Sequence, residues 1–258
     1  MGQSCSTQKD SYFEASAFNF ANRPELTGSV NAAYSSDVES SIQYCLQKSV
    51  HAGAVMCLGS SRFLPTRRQI FSCGDDKNSA VIEWPSISNL KSAHISNNFR
   101  GHTRTVNRIA VDGRRGCLWS VSRDLSIRQW SIKDGLCMQT IPNAHELNIS
   151  AVALDEESDG SFVYTGSRDY SVKQWDTRVG SAVSTYSSPL NIVTSLAVSS
   201  AGHAKGMIYQ CAEDLKVRLW DPRVGSTMTP ASEIGGYVYF ALCMDIHQDG
   251  NVSNTYFC

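Results

Sequence analysis

The sequence lacks several features that would point to common classes of protein. No run of apolar residues reaches the ~18 that a membrane-spanning helix needs, and no early apolar segment resembles a secretory signal. The net charge is −1 and only 18% of residues are charged, which gives no electrostatic basis for nucleic-acid binding. We therefore expect a globular protein of the cytoplasm that has no nucleic-acid partner.

The cysteines and the motif content exclude further classes. The nine cysteines are odd in number and include no Cys-x-x-Cys pair, which favours free thiols in a reducing compartment. The sequence also contains no Gly-rich phosphate loop, no paired metal ligands and no nucleophile motif. These absences predict a protein that is not an enzyme and needs neither a cofactor nor a metal.

What the sequence does contain is an internal repeat of about 45 residues. Its tryptophans, Trp84, Trp130, Trp175 and Trp220, stand 46, 45 and 45 residues apart, and an aspartate lies six residues before each of the last three. Repeats of this length that end in a Trp-bearing strand predict a radial array of four-stranded sheets, because each unit buries its faces only against its neighbours. The expected fold is all-β, and a binding platform is favoured over a catalyst.

Polar residues recur at fixed places within these repeats. A histidine stands at the same offset in three of them, at His51, His102 and His145. A carboxylate beside a packed sheet is costly unless it is hydrogen-bonded. We therefore expect the repeated aspartate to lie in the turn between the second and third strands and to accept from the imidazole. The imidazole then meets a Ser or Thr hydroxyl, and the Trp indole N–H donates at the far end.

Residues 45 to 258 resemble the WD-repeat (Trp-Asp) β-propeller family, through Gly101-His102, Ala144-His145, Trp175-Asp176 and Trp220-Asp221. The resemblance implies an Asp–His–Ser/Thr–Trp network in three repeats. Its members are His51, Ser72, Asp76 and Trp84, with two extra residues before that Trp; His102, Ser120, Asp124 and Trp130; and His145, Thr165, Asp169 and Trp175.

The fourth repeat departs from the family pattern. Pro189 replaces the histidine and Gln210 replaces the hydroxyl residue, so Asp214 and Trp220 are expected to have other partners.

The repeats define the expected organisation of the chain. Residues 1–44 carry no propeller pattern and are interpreted as a flexible leader, followed by a partial propeller at 45–258. The expected repeats are 45–90, 91–136, 137–181, 182–226 and a truncated 227–258, in which Tyr239, Leu242, Met244 and Asp245 match the first strand of another unit. The resemblance implies rings of about seven units. We therefore expect an incomplete propeller with four full blades and part of a fifth.

The tip of the leader fits an N-myristoylation signature. Gly2 becomes the acceptor once Met1 is removed, and Ser6 stands at the favoured place. One myristoyl chain binds a membrane only marginally, so Cys5 is the candidate for a second, palmitoyl anchor. The alternative is that Gly2 matches this short signature by chance. From this signature we hypothesise that the protein attaches peripherally to a membrane.

A cationic residue recurs two places before each of the last three tryptophans, at Arg128, Lys173 and Arg218. These residues either form a basic surface that binds an anionic partner or serve only to pack neighbouring blades together. Strand alternation favours the structural interpretation, because it places each of them on the same face as its Trp. The aliphatic stem is then expected to pack against the adjacent blade while the charged head reaches water.

Two function classes follow from the resemblance. The first is a non-catalytic scaffold that binds other proteins through loops on one rim. The second is a substrate receptor of a cullin-RING ubiquitin ligase, because the segments 175–178 and 220–223 resemble the paired Trp-Asp-x-Arg boxes of receptors that dock on the damaged-DNA-binding adaptor. Arg178 and Arg223 would then contact the adaptor, although Gln174 replaces the aliphatic residue expected before the box.

Within the WD-repeat family, the order of the units, the missing fourth histidine and residues 235–245 resemble most the family of WD repeat-containing protein 31. That resemblance implies a non-catalytic scaffold of seven or eight blades near membranes or cilia.

Overall fold

The part of the chain that the structure describes forms sixteen strands in four separate sheets. A computed structural model describes residues 50–61, 63–64, 68–83, 93–155, 160–187, 191–200, 205–235 and 242–244. The first sheet has β1 to β4, at Val55–Gly59, Gln69–Gly74, Asn78–Glu83 and His94–Arg100. The second has β5 to β8, at Val106–Asp112, Cys117–Ser122, Ile127–Ser131 and Cys137–Ile141. The third has β9 to β12, at Ile149–Leu154, Phe162–Ser167, Ser171–Asp176 and Ser181–Ser187. The fourth has β13 to β16, at Val193–Val198, Ile208–Ala212, Val217–Trp220 and Ser232–Ile234.

Each sheet is an antiparallel meander whose strands pair in sequence order. The first strand of each sheet packs beside the first strand of the next, so β1, β5, β9 and β13 form the inner edges of neighbouring sheets. Over the described residues this series does not close into a ring. The predicted all-β, unclosed propeller is therefore confirmed.

The repeats read from the sequence are offset from the sheets by one strand. Strand β4, at His94–Arg100, pairs with β3 in the first sheet although it belongs to the second repeat. The same holds for β8, β12 and β16, which complete the second, third and fourth sheets. Each repeat thus supplies the outer strand of one sheet and the three inner strands of the next, which joins neighbouring sheets through continuous chain.

Hydrophobic residues fill the spaces between successive sheets. Phe71 from the first sheet packs with Val106 and Trp130 from the second, and Trp130 is only 1% exposed. A second cluster joins the second and third sheets around Trp175, and a third joins the third and fourth sheets around Trp220. The expectation that each unit buries its faces against its neighbours is therefore met by the sheets that the structure describes.

The turn between the second and third strands has the same form in every sheet. The residue after the repeated aspartate has a positive φ, at Lys77 (69°), Leu125 (67°), Tyr170 (69°) and Leu215 (64°). The aspartate itself caps the turn, since Asp124 Oδ1 accepts the Ser126 backbone N–H at 3.0 Å. This shared geometry fixes the number of residues between each aspartate and the third strand.

The turn places Ile82, and not Trp84, at the repeated tryptophan position of the first sheet. Ile82 pairs with Ile70 across β2 and β3, as Trp130 pairs with Leu118 across β6 and β7. The expected two-residue insertion before the Trp is therefore wrong, because both sheets have the same spacing from aspartate to strand. Trp84 itself lies outside the described residues.

Several predictions concern residues that the structure does not describe. Gly2, Cys5 and the rest of the leader are among them, as are Tyr239 and Asp245 of the fifth unit. Leu242 and Met244 are described, and the Met244 backbone N–H donates to Ser195 Oγ at 3.1 Å beside β13. Within the described ranges, no helix combines the length and the apolar character that crossing a bilayer requires.

Candidate functional site

The sheets have two ends with different chemistry. We call the histidine end the one that carries the turns between second and third strands and the connections into each first strand. The opposite end carries the connections from first to second strands and from third to outer strands; there Thr177 Oγ1 donates to the Gly160 carbonyl oxygen at 2.9 Å. Both ends present repeated polar residues, so we describe each in turn.

At the histidine end, the second sheet holds a chain of four hydrogen-bonded side chains. His102 Nδ1 lies 2.9 Å from Asp124 Oδ2, and its Nε2 lies 2.7 Å from Ser120 Oγ. Trp130 Nε1 lies 2.8 Å from the same Ser120 Oγ. Because the indole N–H only donates, the Ser120 hydroxyl accepts it and gives its own hydrogen to Nε2. Nδ1 therefore carries the ring proton and donates it to Asp124.

The third sheet repeats this arrangement. His145 Nδ1 lies 2.9 Å from Asp169 Oδ2, and its Nε2 lies 2.8 Å from Thr165 Oγ1. Trp175 Nε1 donates to the same Thr165 oxygen at 2.7 Å. The structure thus brings together all four residues that the sequence grouped in this repeat.

The first sheet has a shorter chain. His51 Nδ1 lies 2.9 Å from Asp76 Oδ1, and its Nε2 lies 2.8 Å from Ser72 Oγ. Ile82 provides no N–H at the tryptophan position, so the described chain ends at the Ser72 hydroxyl. The network of the first sheet therefore has three described members where the sequence predicted four.

The fourth sheet replaces the network with different contacts. Trp220 Nε1 donates to Gln210 Oε1 at 2.6 Å, which leaves Gln210 Nε2 buried with no partner among the described residues. Asp214 forms an ion pair with Arg218, and the Arg218 Nε also donates to Glu233 Oε1 at 2.8 Å. Asp214 and Trp220 thus have other partners than a histidine and a hydroxyl. Pro189 lies outside the described residues.

Burial and hydrogen bonding shift the pKa values of this network. Burial alone would raise the pKa of the Asp124 carboxyl, but hydrogen bonds from His102, Ser126 and the Thr103 backbone lower it below its usual value. The pKa of Asp169 is lowered in the same way, by His145 and Ser171. Burial lowers the pKa of His145, so its imidazole is neutral at pH 7. The networks are thus ionised at Asp and neutral at His145.

The Ser–His–Asp order of these chains is not suited to nucleophilic catalysis. Ser120 and Thr165 are fully buried, and each hydroxyl oxygen already accepts a tryptophan N–H. A nucleophile must present a free oxygen to a substrate, and these oxygens face the packed space between sheets. Their role is to join three strands, because losing one member leaves a buried partner unpaired at about 1–3 kcal/mol.

The cationic residues before the tryptophans differ from one another. The Arg128 guanidinium and the Lys173 ammonium each lie 5.9 Å from the ring of the following Trp, and both residues are half-buried. Lys173 Nζ donates to the Ala144 carbonyl oxygen at 2.8 Å, and Arg128 Nε is buried. Arg218 is 2% exposed, so the expectation that its head reaches water is wrong. Asp214 and Glu233 explain why Arg218 is buried where Arg128 and Lys173 are not, because both carboxylates form ion pairs with its guanidinium.

The histidine end also opens into a pocket of about 580 Å³ between the sheets. Arg108, Arg123 and Arg168 line it together with Glu213. The guanidinium of Arg108 donates to two carbonyl oxygens, and that of Arg123 reaches Asn107 Oδ1 at 3.4 Å. None of the three arginines forms an ion pair with a carboxylate of the described residues. The pocket therefore presents three cationic groups and one carboxylate, and its lining carries an excess of positive charge among the described residues.

The arginines of this pocket were missed when the sequence was considered alone, although the signal was present. Arg123 and Arg168 each precede the network aspartate, in a repeated Ser-Arg-Asp at residues 122–124 and 167–169. Glu213 holds the same place in the fourth repeat, and Asp75 holds it in the first. The network fixes Asp124 and Asp169, so it also fixes the backbone from which the two arginines extend.

At the opposite end, the arginine of each Trp-Asp-x-Arg segment binds the aspartate of its own segment. Arg178 Nε and Nη2 donate to the two Asp176 carboxylate oxygens at 3.2 and 2.9 Å. Arg223 repeats this fork on Asp221 at 2.7 and 2.6 Å. Their side chains are 72% and 70% exposed. Hydrogen bonds from Arg178 lower the pKa of Asp176 to about 2. The predicted box arginines are thus exposed and each paired with its own aspartate, at the ends of strands in adjacent sheets.

Comparison with known proteins agrees with this architecture. The sequence model of the WD40 family, described as WD domain, G-beta repeat, matches residues 135–176. Among solved structures, the WD40 beta propeller domain of Doa1 superposes with a TM-score of 0.63 at 21% sequence identity. The match covers 78% of this chain and 60% of that one, so the chain spans less than two thirds of the Doa1 domain. No curated protein matches the sequence. The chain has the fold of a WD40 β-propeller, with one repeat that the family model recognises.

Proposed function

We propose that the protein is a non-catalytic scaffold that binds another protein at the histidine end. The observation that carries this proposal is the pocket of about 580 Å³, where Arg108, Arg123 and Arg168 have no carboxylate partner among the described residues. Scaffolds of this kind hold exposed binding groups on rigid elements. Here Arg123 and Arg168 each adjoin an aspartate that the buried network holds in place.

The charge of the pocket favours a partner with an acidic segment. Guanidinium groups bind carboxylates through charge-assisted hydrogen bonds, which are about twice as strong as neutral ones. Glu213 on the fourth sheet lines the same pocket and would repel the acidic segment on that side. The segment is therefore expected to lie toward the second and third sheets, which carry Arg123 and Arg168.

A defined probe tests the interaction at the histidine end. A short fluorescent polyglutamate peptide is expected to bind the protein, with binding measured by fluorescence anisotropy at low salt. The double variant Arg123→Gln plus Arg168→Gln should weaken binding by about tenfold or more, because two charge-assisted contacts are lost. The matched control, Arg178→Gln plus Arg223→Gln, removes two exposed arginines from the opposite end. Equal binding by both double variants would show that the pocket is not the site.

A second candidate function uses the opposite end. We infer that Arg178 and Arg223 could contact the damaged-DNA-binding adaptor of a cullin-RING ubiquitin ligase, with the protein as substrate receptor. Support comes from the bidentate fork that each arginine makes on its own aspartate and from the exposure of both guanidinium groups.

Purified adaptor provides the test of the receptor candidate. It is expected to co-precipitate with the protein and with the Arg123→Gln, Arg168→Gln variant, but not with Arg178→Ala plus Arg223→Ala. Capture that persists without both box arginines refutes the docking role, whatever the outcome of the peptide experiment.

The location of the scaffold is part of the proposal. We propose a cytoplasmic protein held at a membrane by a myristoyl chain on Gly2 and a palmitoyl chain on Cys5, which fits the family of WD repeat-containing protein 31. The signature at residues 1–6 supports this proposal. Cells fed an alkyne myristate should label the protein, and Gly2→Ala should abolish the label. Labelling that is absent from the unaltered protein, or that survives Gly2→Ala, refutes the anchor.

A further inference from the structure

Two cysteines stand directly opposite each other in the first sheet. Cys57 of β1 pairs with Cys73 of β2 in antiparallel register. Residues paired in this way have Cα atoms about 4.5–5.5 Å apart and side chains on the same face of the sheet. That separation lies within the ~4.4–6.8 Å that a disulfide requires. Cys57 also packs against the apolar cluster that contains Cys73.

The two thiols differ in their access to solvent. Cys73 is fully buried in the cluster between the first and second sheets. Cys57 is partly exposed and lines an inner pocket of about 470 Å³ together with Arg108 and Cys243. A small oxidant that enters this pocket therefore meets Cys57 and does not meet Cys73. The pair therefore has one accessible sulfur and one sheltered sulfur, carried by opposing residues of neighbouring strands.

The surroundings of Cys57 favour its thiolate. The neighbouring Cys73 side chain lowers the pKa of the Cys57 thiol below its ordinary value in spite of burial, and the Ile109 backbone and the Arg108 guanidinium act in the same direction. Arg108 is held beside it by the Met56 carbonyl oxygen at 3.2 Å and the Leu242 carbonyl oxygen at 2.6 Å. As a thiol, Cys57 donates instead to the Leu58 carbonyl oxygen at 3.3 Å. The thiolate is the reactive form of cysteine toward peroxide.

We propose that Cys57 and Cys73 are a reversible redox site, in which hydrogen peroxide converts the two thiols to a disulfide. The Cys57 thiolate attacks one peroxide oxygen, so an S–O bond forms, the O–O bond breaks, and hydroxide leaves. Cys73 sulfur then attacks the Cys57 sulfenic acid, which forms the S–S bond and breaks the S–O bond. The Cys73 proton goes to the departing hydroxide. In total, two thiols and one peroxide give one disulfide and two water molecules.

Peptide mapping of the peroxide-treated protein tests this site. Free thiols are first blocked with an alkylating reagent, and the chain is then cut with trypsin, which cleaves at Arg68 between the two cysteines. Without reductant, the peptides of Cys57 and Cys73 should appear linked, two hydrogen atoms lighter than their sum. Alkylation should be lost at these two of the nine cysteines and restored by a thiol reductant.

Single variants separate the roles of the two sulfurs. Cys73→Ser should leave Cys57 oxidised to sulfenic acid without a disulfide, and Cys57→Ser should leave Cys73 alkylated after denaturation. The control Cys137→Ser removes an exposed thiol whose cross-strand partner is Trp130, and it should leave the linked peptides unchanged. The proposal is overturned if unaltered protein forms a Cys57–Cys243 link instead, or if Cys57 is over-oxidised while Cys73 remains free.

Discussion

Trp130→Ala is expected to lower the free energy of unfolding by about 3–5 kcal/mol, the range for deleting a fully buried aromatic side chain. The indole lies between the first and second sheets, with its ring centroid 5.8 Å from that of Phe99. Its removal opens a cavity and also takes the N–H donor from Ser120. Urea denaturation followed by far-ultraviolet circular dichroism measures the loss.

Two further variants separate packing from hydrogen bonding. Trp130→Phe keeps most of the ring but removes the N–H, so it should cost less, about 1–2 kcal/mol. Ile82→Ala changes the same position of the first sheet, where the residue is only half-buried and no indole bond exists. Its effect should be smaller than that of Trp130→Ala. A loss below about 1 kcal/mol for Trp130→Ala would contradict the assigned role of the indole.

Arg218→Ala is expected to destabilise the fold by about 2–3 kcal/mol, because it removes a buried guanidinium and its charge-assisted hydrogen bonds to two partly exposed carboxylates. Asp214 lies in the turn before β15, and Glu233 lies opposite Arg218 on the outer strand β16. Burial opposes protonation, but these two carboxylates raise the pKa of the Arg218 guanidinium above its ordinary value. The ion pairs thus fasten a three-residue outer strand to the fourth sheet. Chemical denaturation at pH 7 measures the effect.

Arg128→Ala supplies the matched control, since Arg128 holds the same place in the second sheet. No ion pair to Arg128 exists within the described residues, and its Nε has no hydrogen-bond partner there. The substitution loses the packing of the stem and the contact of the guanidinium with the Trp130 ring, for about 1 kcal/mol in total. If Arg128→Ala and Arg218→Ala lower the free energy of unfolding by similar amounts, the ion pairs of Arg218 contribute no stability beyond that of its packed side chain.

The two complete networks could be predicted because their residue types recur at a fixed spacing. In the second and third repeats, His, Ser or Thr, Asp and Trp all keep one frame, so the sequence alone identifies the contacts. The prediction for the first repeat is wrong because it uses Trp84 as the reference position. The aspartate is the better reference, since the turn with positive φ after Asp76 fixes the strand that follows and places Ile82 opposite Ile70.

Other parts of the site depend on contacts that local spacing does not encode. The burial of Arg218 requires Glu233, which comes from the next repeat and joins the sheet only through the pairing of β15 with β16. The use of Gln210 as an acceptor for the Trp220 N–H follows from its place in β14, where its side chain is buried. The pocket of arginines forms only when Arg108, Arg123 and Arg168 from two sheets face a common interior.

The offset between repeats and sheets has a consequence for how such a chain can lengthen. Since each unit ends after a third strand and begins with the outer strand of the preceding sheet, copying one unit in tandem adds one complete four-stranded sheet. The copied segment need not start at a sheet boundary. Gene duplication at any point of the 45-residue period therefore preserves every hydrogen-bonded ladder, which lets blade number change by whole steps during evolution.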